Sequence, residues 1–456
     1  MRRVISLKNN IQSNRLGDVE IVENFTDIAP LLTEKQVLVA SERCLFCYDA
    51  PCINACPTEI DIPLFIRKIN TGNVHGAAKE ILSANILGGS CARVCPTETL
   101  CEDACVRNTH EDAPVSIGRL QRYAVEHLDP ARGYPFTRAQ STGKQIAVVG
   151  AGPAGLACAH RLAREGHAVT IYEAATKPGG LNEYGIAQYK LVNNYAQQEV
   201  EFVLQIGGID IQYAKALGRD FNLQQLRDTH DAVFLGIGMG DTNGLNIPGE
   251  TLPGVEDAVD YISELRQVDS LSQLPVGKNI VVIGAGMTAI DIAVQSKKLG
   301  ASEVTMVYRR DQQAMGASEH EQELAQTNGV RFVCNAQPKQ ILGDENGINS
   351  IEFNRTLTNE QGKLVATDEI ISIPCDVVFK AIGQKLHPDF LQQDNQRPDL
   401  CKSGRLAVDD TYQTSIPGVY AGGDCIKGKD LVVEAVDHGN KAALAIHQVL
   451  QQEEKY

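Results

Sequence analysis

Eight of the thirteen cysteines lie between residues 44 and 105, at spacings that could hold metal. The first four follow the pattern Cys-x2-Cys-x4-Cys-x3-Cys-Pro over residues 44–56, and the other four lie at positions 91, 95, 101 and 105. Thiolates are the usual ligands of iron–sulfur clusters and of structural zinc. A cysteine followed by proline at the end of such a run is typical of bacterial ferredoxins. The pattern therefore favours two 4Fe–4S clusters, with a pair of zinc sites as the alternative.

The composition limits the functions that need to be considered. The 456 residues carry a formal net charge of −15, which disfavours nucleic acid or an anionic membrane as a partner. No apolar run is long enough to cross a bilayer, and no apolar stretch follows the two N-terminal arginines as a signal peptide would require. We therefore expect a cytoplasmic protein, in which thiols stay reduced and serve metals or catalysis. The other five cysteines are scattered singly and are expected to be incidental.

A strand, a Gly-rich turn, a helix and a second strand occur twice after residue 144, as in dinucleotide-binding domains. In the first copy, three glycines form G-x-G-x-x-G directly after an apolar strand, and Glu173 ends the second strand. The glycines let the backbone approach a pyrophosphate at the helix N-terminus, and the acid can bind ribose hydroxyls. The predicted contacts of this nucleotide are Gly150, Gly152, Pro153, Ala154, Gly155 and Glu173.

The second copy differs at its third glycine and at its acid. Gly284 and Gly286 are followed by Ala289, a permitted replacement, and the second strand ends in Arg309 and Arg310. Arginine near this position can bind a 2′-phosphate, which mildly favours NADPH over NADH. Two solvated arginines on a loop are the simpler alternative.

A third segment, "TSIPGVYAGGDC" at 414–425, ends a strand with two glycines and Asp424, and a helix follows. Together with "KPGGL" at 177–181, it resembles the second FAD-contacting segment of the two-dinucleotide-domain flavoprotein reductases. In those proteins the aspartate approaches the ribityl chain, and the positive end of the helix faces the flavin ring, where it stabilises the reduced flavin. We therefore assign FAD to the first site and the nicotinamide nucleotide to the second. The added FAD contacts are Gly180, Leu181, Gly423 and Asp424.

These patterns predict an α/β fold in which an all-α iron–sulfur domain precedes two Rossmann-like domains, the nicotinamide domain being inserted in the FAD domain. The apolar periodicity of residues 31–130 is helical, and residues after Lys144 alternate between strands and helices. The predicted regions are an N-terminal tail (1–30), a helical domain with two clusters (31–130), a linker (131–143), an FAD-binding domain (144–242 and 385–456) and a nicotinamide domain (243–384).

Three stretches, "CLFCYDAPCINACP", "CARVCPTETLCEDAC" and "IGRLQRYA", together with the flavoprotein part, carry a family resemblance over nearly the whole chain after about residue 30. The sequence resembles the NAD(P)H/FAD/iron–sulfur subunits of bacterial dihydropyrimidine dehydrogenases, within the glutamate synthase small-subunit-like flavoproteins. The resemblance implies that one cluster is held by three cysteines and a glutamine, matching Cys44, Cys47, Cys52 and Gln121. It implies that the other cluster is held at Cys56, Cys95, Cys101 and Cys105, so that Cys91 is not a ligand.

The same resemblance implies further nucleotide contacts. Those for FAD are the segment 173–181, Lys190 and Leu217, and those for the nicotinamide nucleotide are Ala285, Gly286, Met287, Thr288, Arg309 and Arg310. The sequence also departs from the family pattern. Lys190 replaces an arginine, and Gly316 stands where the NADPH-using animal enzyme has a further arginine. The bacterial split form is usually associated with NADH, so the choice between NADH and NADPH stays open.

The cofactor order implies a reaction: NAD(P)H reduces the flavin, and single electrons then leave through the clusters. No Ser/His/Asp or Cys/His constellation is evident, and no catalytic acid or base is expected. After Asp424 the chain is too short for a barrel of about 250 residues, so the family's FMN-binding site for pyrimidine must lie on a partner subunit with FMN and iron–sulfur clusters. We therefore expect a hetero-oligomer that reduces uracil or thymine. The alternatives are a small subunit of glutamate synthase, a related NAD(P)H–ferredoxin transhydrogenase subunit, or a zinc-bearing scaffold protein.

Overall fold

The computed structural model describes residues 16–111, 113–359, 361–387 and 396–453. Contacts divide them into two compact units. The inserted unit comprises the described part of Met1–Asp27, with Tyr184–Tyr189 and Asp241–Gln384. The larger unit comprises Ile28–Glu183, Lys190–Gly240 and the described part of Lys385–Tyr456.

The described residues form sixteen α-helices and thirteen strands. The helices are, in chain order, α1 (Asp18–Asn24), α2 (Glu34–Glu42), α3 (Pro51–Asn54), α4 (Ile62–Asn70), α5 (Val74–Ala84), α6 (Gly88–Val94), α7 (Asn108–Glu111), α8 (Ile117–Glu126), α9 (Pro153–Arg164), α10 (Leu181–Tyr184), α11 (Tyr195–Leu204), α12 (Leu223–Thr229), α13 (Ala258–Gln267), α14 (Met287–Lys298), α15 (Glu319–Thr327) and α16 (Val432–Glu453). The strands are β1 (Gln145–Val149), β2 (Ala168–Tyr172), β3 (Ile209–Gln212), β4 (Ala232–Leu235), β5 (Val255–Asp257), β6 (Asn279–Ile283), β7 (Glu303–Val307), β8 (Arg331–Val333), β9 (Ala336–Asp344), β10 (Gly347–Thr358), β11 (Leu364–Pro374), β12 (Val377–Lys380) and β13 (Val419–Ala421).

The cysteine-bearing part of the larger unit, α2 to α8, is helical. Side chains that accept hydrogen bonds from the first turn begin several of these helices: Thr33 forms a capping box with Gln36 in α2, and Asp61 caps α4. The apolar stripes of α4, α5 and α8 meet in one core, in which Phe65 and Leu120 are fully buried. The predicted all-α N-terminal domain is therefore confirmed.

The rest of the larger unit is built on a parallel sheet of order β13-β4-β1-β2-β3. Residues Ile146 to Val149 of β1 are all buried, as expected for the central strand of a sheet covered on both faces. Helices α9 and α16 pack on each other and on this sheet within one hydrophobic core. This arrangement is the first predicted Rossmann-like domain.

The inserted unit has a second parallel sheet, of order β5-β12-β6-β7-β8, and an antiparallel sheet of order β11-β10-β9. Most of this unit is one continuous segment, Asp241–Gln384, after which the chain returns to the larger unit at Lys385. The predicted fold class, with one Rossmann-like domain inserted in the other, is confirmed, whereas the predicted domain boundaries stay predictions.

The predicted N-terminal tail is wrong for the described residues 16–27. Helix α1 buries Ile21 and Phe25 in the core of the inserted unit, and Asn24 and Lys298 each donate a side-chain hydrogen bond to the other's carbonyl oxygen, at 3.0 and 2.7 Å. The two buried side chains lie four residues apart, which is the spacing of one helix face. Residues 1–15 of the predicted tail lie outside the described residues.

Candidate functional site

Four cysteines surround one cavity of the helical region: Cys44, Cys47, Cys52 and Cys105. Cys44 and Cys47 lie in the loop after α2, and Cys52 lies in α3. Phe46 and Ala50 have φ angles of 52° and 27°, and these left-handed turns reverse the loop around the cavity. All four cysteines are half-buried, and we call them the outer set.

The other predicted ligands lie deeper, and we call them the inner set: Cys56, Cys95, Cys101 and Gln121. Cys56 and Cys101 are buried in the helical core, and Cys95 follows the last residue of α6. Cys101 and Cys56 lie close enough to Cys95 to raise the pKa of the Cys95 thiol. Cys91 and burial raise the same pKa by more. The Nε2 of Gln121, on α8, donates a 2.7 Å hydrogen bond to the carbonyl oxygen of Gly88, at the start of α6.

The structure places two of the predicted ligands, Cys105 and Gln121, away from the cysteines with which they were grouped. The prediction placed Gln121 with Cys44, Cys47 and Cys52, and it placed Cys105 with the deeper cysteines. The segment after Cys105 folds back onto the first loop, because Arg107 Nε donates to the carbonyl oxygen of Arg43 at 2.8 Å. Helix α8 instead lies along α6, which turns Gln121 towards the helix that ends at Cys95. Cys105 thus lies with the outer set and Gln121 with the inner set, and which residues bind each cluster stays a prediction.

Cys91 is buried, and its sulfur accepts a 3.2 Å hydrogen bond from the Nδ2 of Asn85. The carbonyl oxygen of the same amide accepts from the backbone N–H of Leu87 at 3.0 Å. A fully buried amide with both ends bonded holds this thiol in the protein interior. That Cys91 is not a ligand stays a prediction.

The electrostatics of both sets call for a positive partner. Burial raises the pKa of the Cys52 thiol to about 12, and the neighbouring Cys44 and Cys105 raise it further. Burial also raises the pKa of Cys101. Several such thiols can ionise together only when iron or another cation compensates their charge, and the donor types fit iron–sulfur clusters. In the described residues no three His, Cys, Asp or Glu side chains converge closely enough to hold one metal ion.

The first Gly-rich turn is built for close backbone approach. Gly150 has a φ of 98°, and a Cβ there or at Gly155 would overlap the carbonyl oxygens of Gly236 and Gly150, respectively. Gly152, by contrast, has only the Cα of Gly180 within 4 Å of an added Cβ, at 3.7 Å. Helix α9 begins there with Pro153 and Ala154, which leaves the N–H groups of its first turn without helical partners. The turn therefore fits a pyrophosphate.

The buried Glu173 ties the end of β2 to this turn. Its two carboxylate oxygens accept 2.7 Å hydrogen bonds from the backbone N–H groups of Ala151 and Ala175. The backbone N–H of Lys215 donates to the carbonyl oxygen of Glu173 at 2.8 Å, which brings the chain to within two residues of Leu217. Glu173 is thus a structural acceptor as well as the predicted ribose ligand.

Two more predicted FAD segments meet the same turn. A Cβ on Gly180 would lie 2.7 Å from the Cα of Gly152, and one on Gly423 would lie 3.0 Å from the Cβ of Ala154. Asp424 follows, and burial, together with the nearby Asp430, raises its pKa to about 6. Leu181 is exposed and Lys190 is buried, and the roles of these two residues and of Leu217 stay predictions.

The chain after Asp424 leads directly to the inner set. Val433, in the first turn of α16, is buried in the helical core that contains Cys56 and Cys101. Farther along α16, the side chain of Asn440 donates a 3.1 Å hydrogen bond to the carbonyl oxygen of Ala84. The predicted flavin-binding turn and the inner set are therefore joined through a single helix.

His438 is buried behind the flavin-binding turn. Burial, and to a smaller extent the charge of Lys441, lowers its pKa to about 4. Its Nδ1 accepts a 3.2 Å hydrogen bond from the backbone N–H of Gly423. The imidazole is therefore neutral at pH 7 and fixes the turn that presents Asp424.

The second Gly-rich turn lies between β6 and α14 in the inserted unit. Gly284 has a φ of 142°, and a Cβ on it would overlap the carbonyl oxygen of Ala381, whereas the space around Gly286 is open. The Ala285 carbonyl oxygen accepts from the N–H of Ala317 at 2.9 Å, and Met287 and Thr288 begin α14. Arg309 and Arg310, just after β7, are exposed, and the described residues form no ion pair with either guanidinium group. The turn fits a dinucleotide, and the arginines are free to meet a phosphate.

Sequence reasoning missed one group of residues, around Glu199. This buried glutamate on α11 accepts hydrogen bonds from Gly89 and Ser90, which precede it by 110 and 109 positions. No motif marks it, since its partners are two backbone N–H groups and one hydroxyl.

Two family models match the chain. One, described as pyridine nucleotide-disulphide oxidoreductase, matches residues 144–439, and the other, described as dihydropyrimidine dehydrogenase domain II with a 4Fe-4S cluster, matches residues 21–132. The chain belongs to the pyridine nucleotide-disulphide oxidoreductase family. It is accordingly an NAD(P)H-dependent flavin oxidoreductase with a 4Fe–4S domain, and its cofactors are FAD, iron–sulfur clusters and a pyridine nucleotide.

Relatives match over almost their whole length. The chain is 33% identical over 431 residues to the NAD-dependent dihydropyrimidine dehydrogenase subunit PreT of Salmonella typhimurium, with 94% of this chain and 98% of that one covered. It is also 33% identical over 465 residues to the NADPH glutamate synthase small chain of Escherichia coli, with 97% and 96% covered. The predicted family resemblance is confirmed.

Solved structures support the fold alone. Thioredoxin reductase of T. acidophilum shares 21% identity and a TM-score of 0.52, covering 68% of this chain and 99% of that one. Mycobacterium tuberculosis FprA, solved with NADPH, shares 20% identity and a TM-score of 0.56, covering 68% and 86%. In the described residues, no helix combines the length and apolar character needed to span a bilayer.

The revised ligand sets can be tested by single substitutions. We expect Cys105→Ala to perturb the cluster of Cys44, Cys47 and Cys52, and Gln121→Ala to perturb the other one, because each side chain lies with that set. Iron and sulfide content with electron paramagnetic resonance (EPR) of the reduced protein distinguishes the two clusters. Cys334→Ala, a half-buried cysteine of the inserted unit, is the control and should leave both signals unchanged. Loss of the same cluster signal in C105A and Q121A would contradict the division.

Proposed function

We propose that this chain is the electron-input subunit of a dihydropyrimidine dehydrogenase. It oxidises NAD(P)H and passes single electrons through two 4Fe–4S clusters to a partner subunit that contains FMN and reduces uracil or thymine to the 5,6-dihydropyrimidine. When bound, the nicotinamide supplies a hydride, the flavin splits its electron pair, and the clusters carry single electrons. We assign the reaction to the cytoplasm, where the many free thiols stay reduced. The relative named a dihydropyrimidine dehydrogenase subunit supports the proposal.

The single observation that carries the proposal is the setting of Gln121. Its amide nitrogen donates to the Gly88 carbonyl oxygen, so its own carbonyl oxygen is the end left to bind iron. By the resemblance, glutamate synthase small subunits tend to carry glutamate in the stretch matching "IGRLQRYA", and an ionised glutamate could not donate at that position. The buried amide thus favours the dihydropyrimidine dehydrogenase type over the glutamate synthase type.

The arrangement of the two ligand sets supports a direction for the electrons. The inner set shares its core with the first turn of α16, next to the predicted flavin-binding turn. Cys52, of the outer set, lies near enough to Cys101, of the inner set, to raise the pKa of the Cys101 thiol. Burial, Glu102 and Cys56 have larger effects on the same pKa. The outer set lies at a half-exposed cavity. The inner cluster would therefore receive electrons first, and the outer cluster would release them.

A glutamate synthase small subunit is the second candidate, because the relative of that name is equally similar over nearly the whole chain. A transhydrogenase subunit would use the same residues. These functions differ in the partner and not in the chemistry of this chain, so an assay of the complete complex is needed.

The function is tested on the complex purified anaerobically from its natural source. We expect uracil to trigger oxidation of NADH or NADPH, followed at the absorbance of the reduced nicotinamide. Glutamine with 2-oxoglutarate is the matched alternative substrate and should cause no oxidation. Oxidation with glutamine and 2-oxoglutarate alone would contradict the proposal and assign the chain to glutamate synthase.

The arginines after β7 predict how the nucleotides are distinguished. If Arg309 and Arg310 bind a 2′-phosphate, changing both to alanine should raise the KM for NADPH about tenfold or more, equivalent to about 1.4 kcal/mol, and leave that for NADH unchanged. Steady-state reduction of an artificial acceptor with each nucleotide measures this. Arg331→Ala, an exposed change on the neighbouring β8, is the control. An equal loss with both nucleotides would show that the arginines bind a part that NADH and NADPH share.

Exposed apolar side chains at the outer set predict where the partner docks. Leu45, between Cys44 and Cys47, is 56% exposed and lines the cavity, and Tyr48 is fully exposed. Such side chains favour a protein contact at the point where electrons leave. We expect Leu45→Asp with Tyr48→Asp to lower uracil-dependent turnover severalfold while NADH–ferricyanide activity stays normal. Leu357→Asp, also exposed but on β10, should change neither rate; unchanged turnover in the double variant would contradict docking at this loop.

A further inference from the structure

Glu199 is a buried carboxylate where α11 of the flavin-binding region meets α6 of the cysteine region. The residue is 6% exposed. Its Oε1 accepts hydrogen bonds from the backbone N–H groups of Gly89 and Ser90, at 3.0 and 2.9 Å, and its Oε2 accepts one from the Ser90 hydroxyl. Three donors on α6 therefore bind the single Glu199 side chain of α11.

The helix that Glu199 holds serves the inner set at both ends. Gly88, at its start, accepts the hydrogen bond that orients Gln121, and Cys95 follows its last residue. The approach is close, because a Cβ on Gly89 would overlap the hydroxyl of Tyr195 on α11. A shift of Glu199 would consequently move two of the four inner ligands together.

The charged groups around this contact determine how strongly the negative charge of Glu199 is stabilised. Arg93, on α6, stacks 3.5 Å from the centre of the Tyr195 ring and donates to the carbonyl oxygen of Gly89 at 2.7 Å. Arg93 also pairs with Glu126 of α8, which Arg122 binds at 2.7 Å. The nearest cation is thus already shared with another carboxylate. Arg93 therefore compensates only part of the negative charge of Glu199.

We propose that Glu199 is a positioning residue for the inner cluster and that its charge couples the reduction of this cluster to pH. The proposal rests on the proposed cluster function and assigns to it a proton-linked control. When the cluster gains one electron, the Glu199 carboxylate takes up one proton from solvent, so that the added negative charge is neutralised inside the protein.

The titration of Glu199 falls in the range where this coupling can be measured. Burial raises its pKa to about 7, against the lowering effects of the Ser90 hydrogen bonds and Arg93. Below that pH the side chain is neutral, and above it the carboxylate repels an incoming electron. The potential of the inner cluster should therefore fall as pH rises through and above about 7, by at most about 59 mV for each tenfold fall in proton concentration.

The test is an EPR-monitored redox titration of the full chain, loaded with FAD and iron–sulfur clusters, from about pH 6 to about pH 9. In Glu199→Gln, which keeps the size but not the charge, we expect an inner-cluster potential that is independent of pH and higher than wild type at the alkaline end. Glu201→Gln, an exposed change on the same helix, is the matched control and should keep the wild-type pH dependence.

Ser90→Ala provides an independent check that leaves the carboxylate in place. Loss of one donor should raise the Glu199 pKa, so the region of pH dependence should move to higher pH. This variant decides the question if E199Q fails to bind its clusters, and an unmoved pH profile would then overturn the proposal. A wild-type slope in E199Q with intact EPR signals would overturn the role of Glu199 alone. A wild-type chain without any iron–sulfur signal would instead overturn the proposed cluster function.

Discussion

The first turn of α16 packs inside the helical core of the cysteine region, and the larger unit is organised around that contact. Val433 is buried among the inner cysteines. His438, on the same helix, accepts a hydrogen bond from the backbone N–H of Gly423. A Cβ on Gly439 would overlap the carbonyl oxygen of Ala154, so α16 also touches the start of α9. One helix thus fixes the first Gly-rich turn, the Asp424 turn and the inner set together, as short electron transfer steps require.

Burial distinguishes the two ligand sets, and it explains where an amide ligand belongs. Exchanging a thiolate for Gln121 removes one negative charge from a cluster site. Charge is most costly where water is excluded, and the inner set is mostly buried whereas every outer cysteine is half-buried. On the ligand sets proposed above, the amide lies at the deeper cluster, and the four thiolates lie where solvent is nearer, with Arg67 close to Cys44.

The sequence was sufficient for the fold class and for both Gly-rich turns, because these depend on local patterns: an apolar strand, three small residues and a helix. The ligand types were likewise evident from spacing and resemblance. The spatial grouping of these residues was not evident, because it depends on Arg107 folding back onto Arg43 and on α8 lying along α6. Helix α1 was missed because its apolar face has only two buried residues. Glu199 was missed because its partners lie about 110 residues away and are mainly backbone groups.

The two nucleotide turns use the end of their second strand in different ways, and the contrast follows from what each turn must hold. Both carboxylate oxygens of Glu173 accept hydrogen bonds from backbone N–H groups. Glu173 therefore fixes the conformation of the first turn, as suits a cofactor that stays bound. At the second turn Arg309 and Arg310 are exposed, and their backbone carbonyl oxygens accept hydrogen bonds from the Thr356 hydroxyl and the Asn335 backbone N–H. Exposed guanidinium groups lose little solvation between cycles of binding and release. The second turn is therefore suited to a nucleotide that must leave after each hydride transfer.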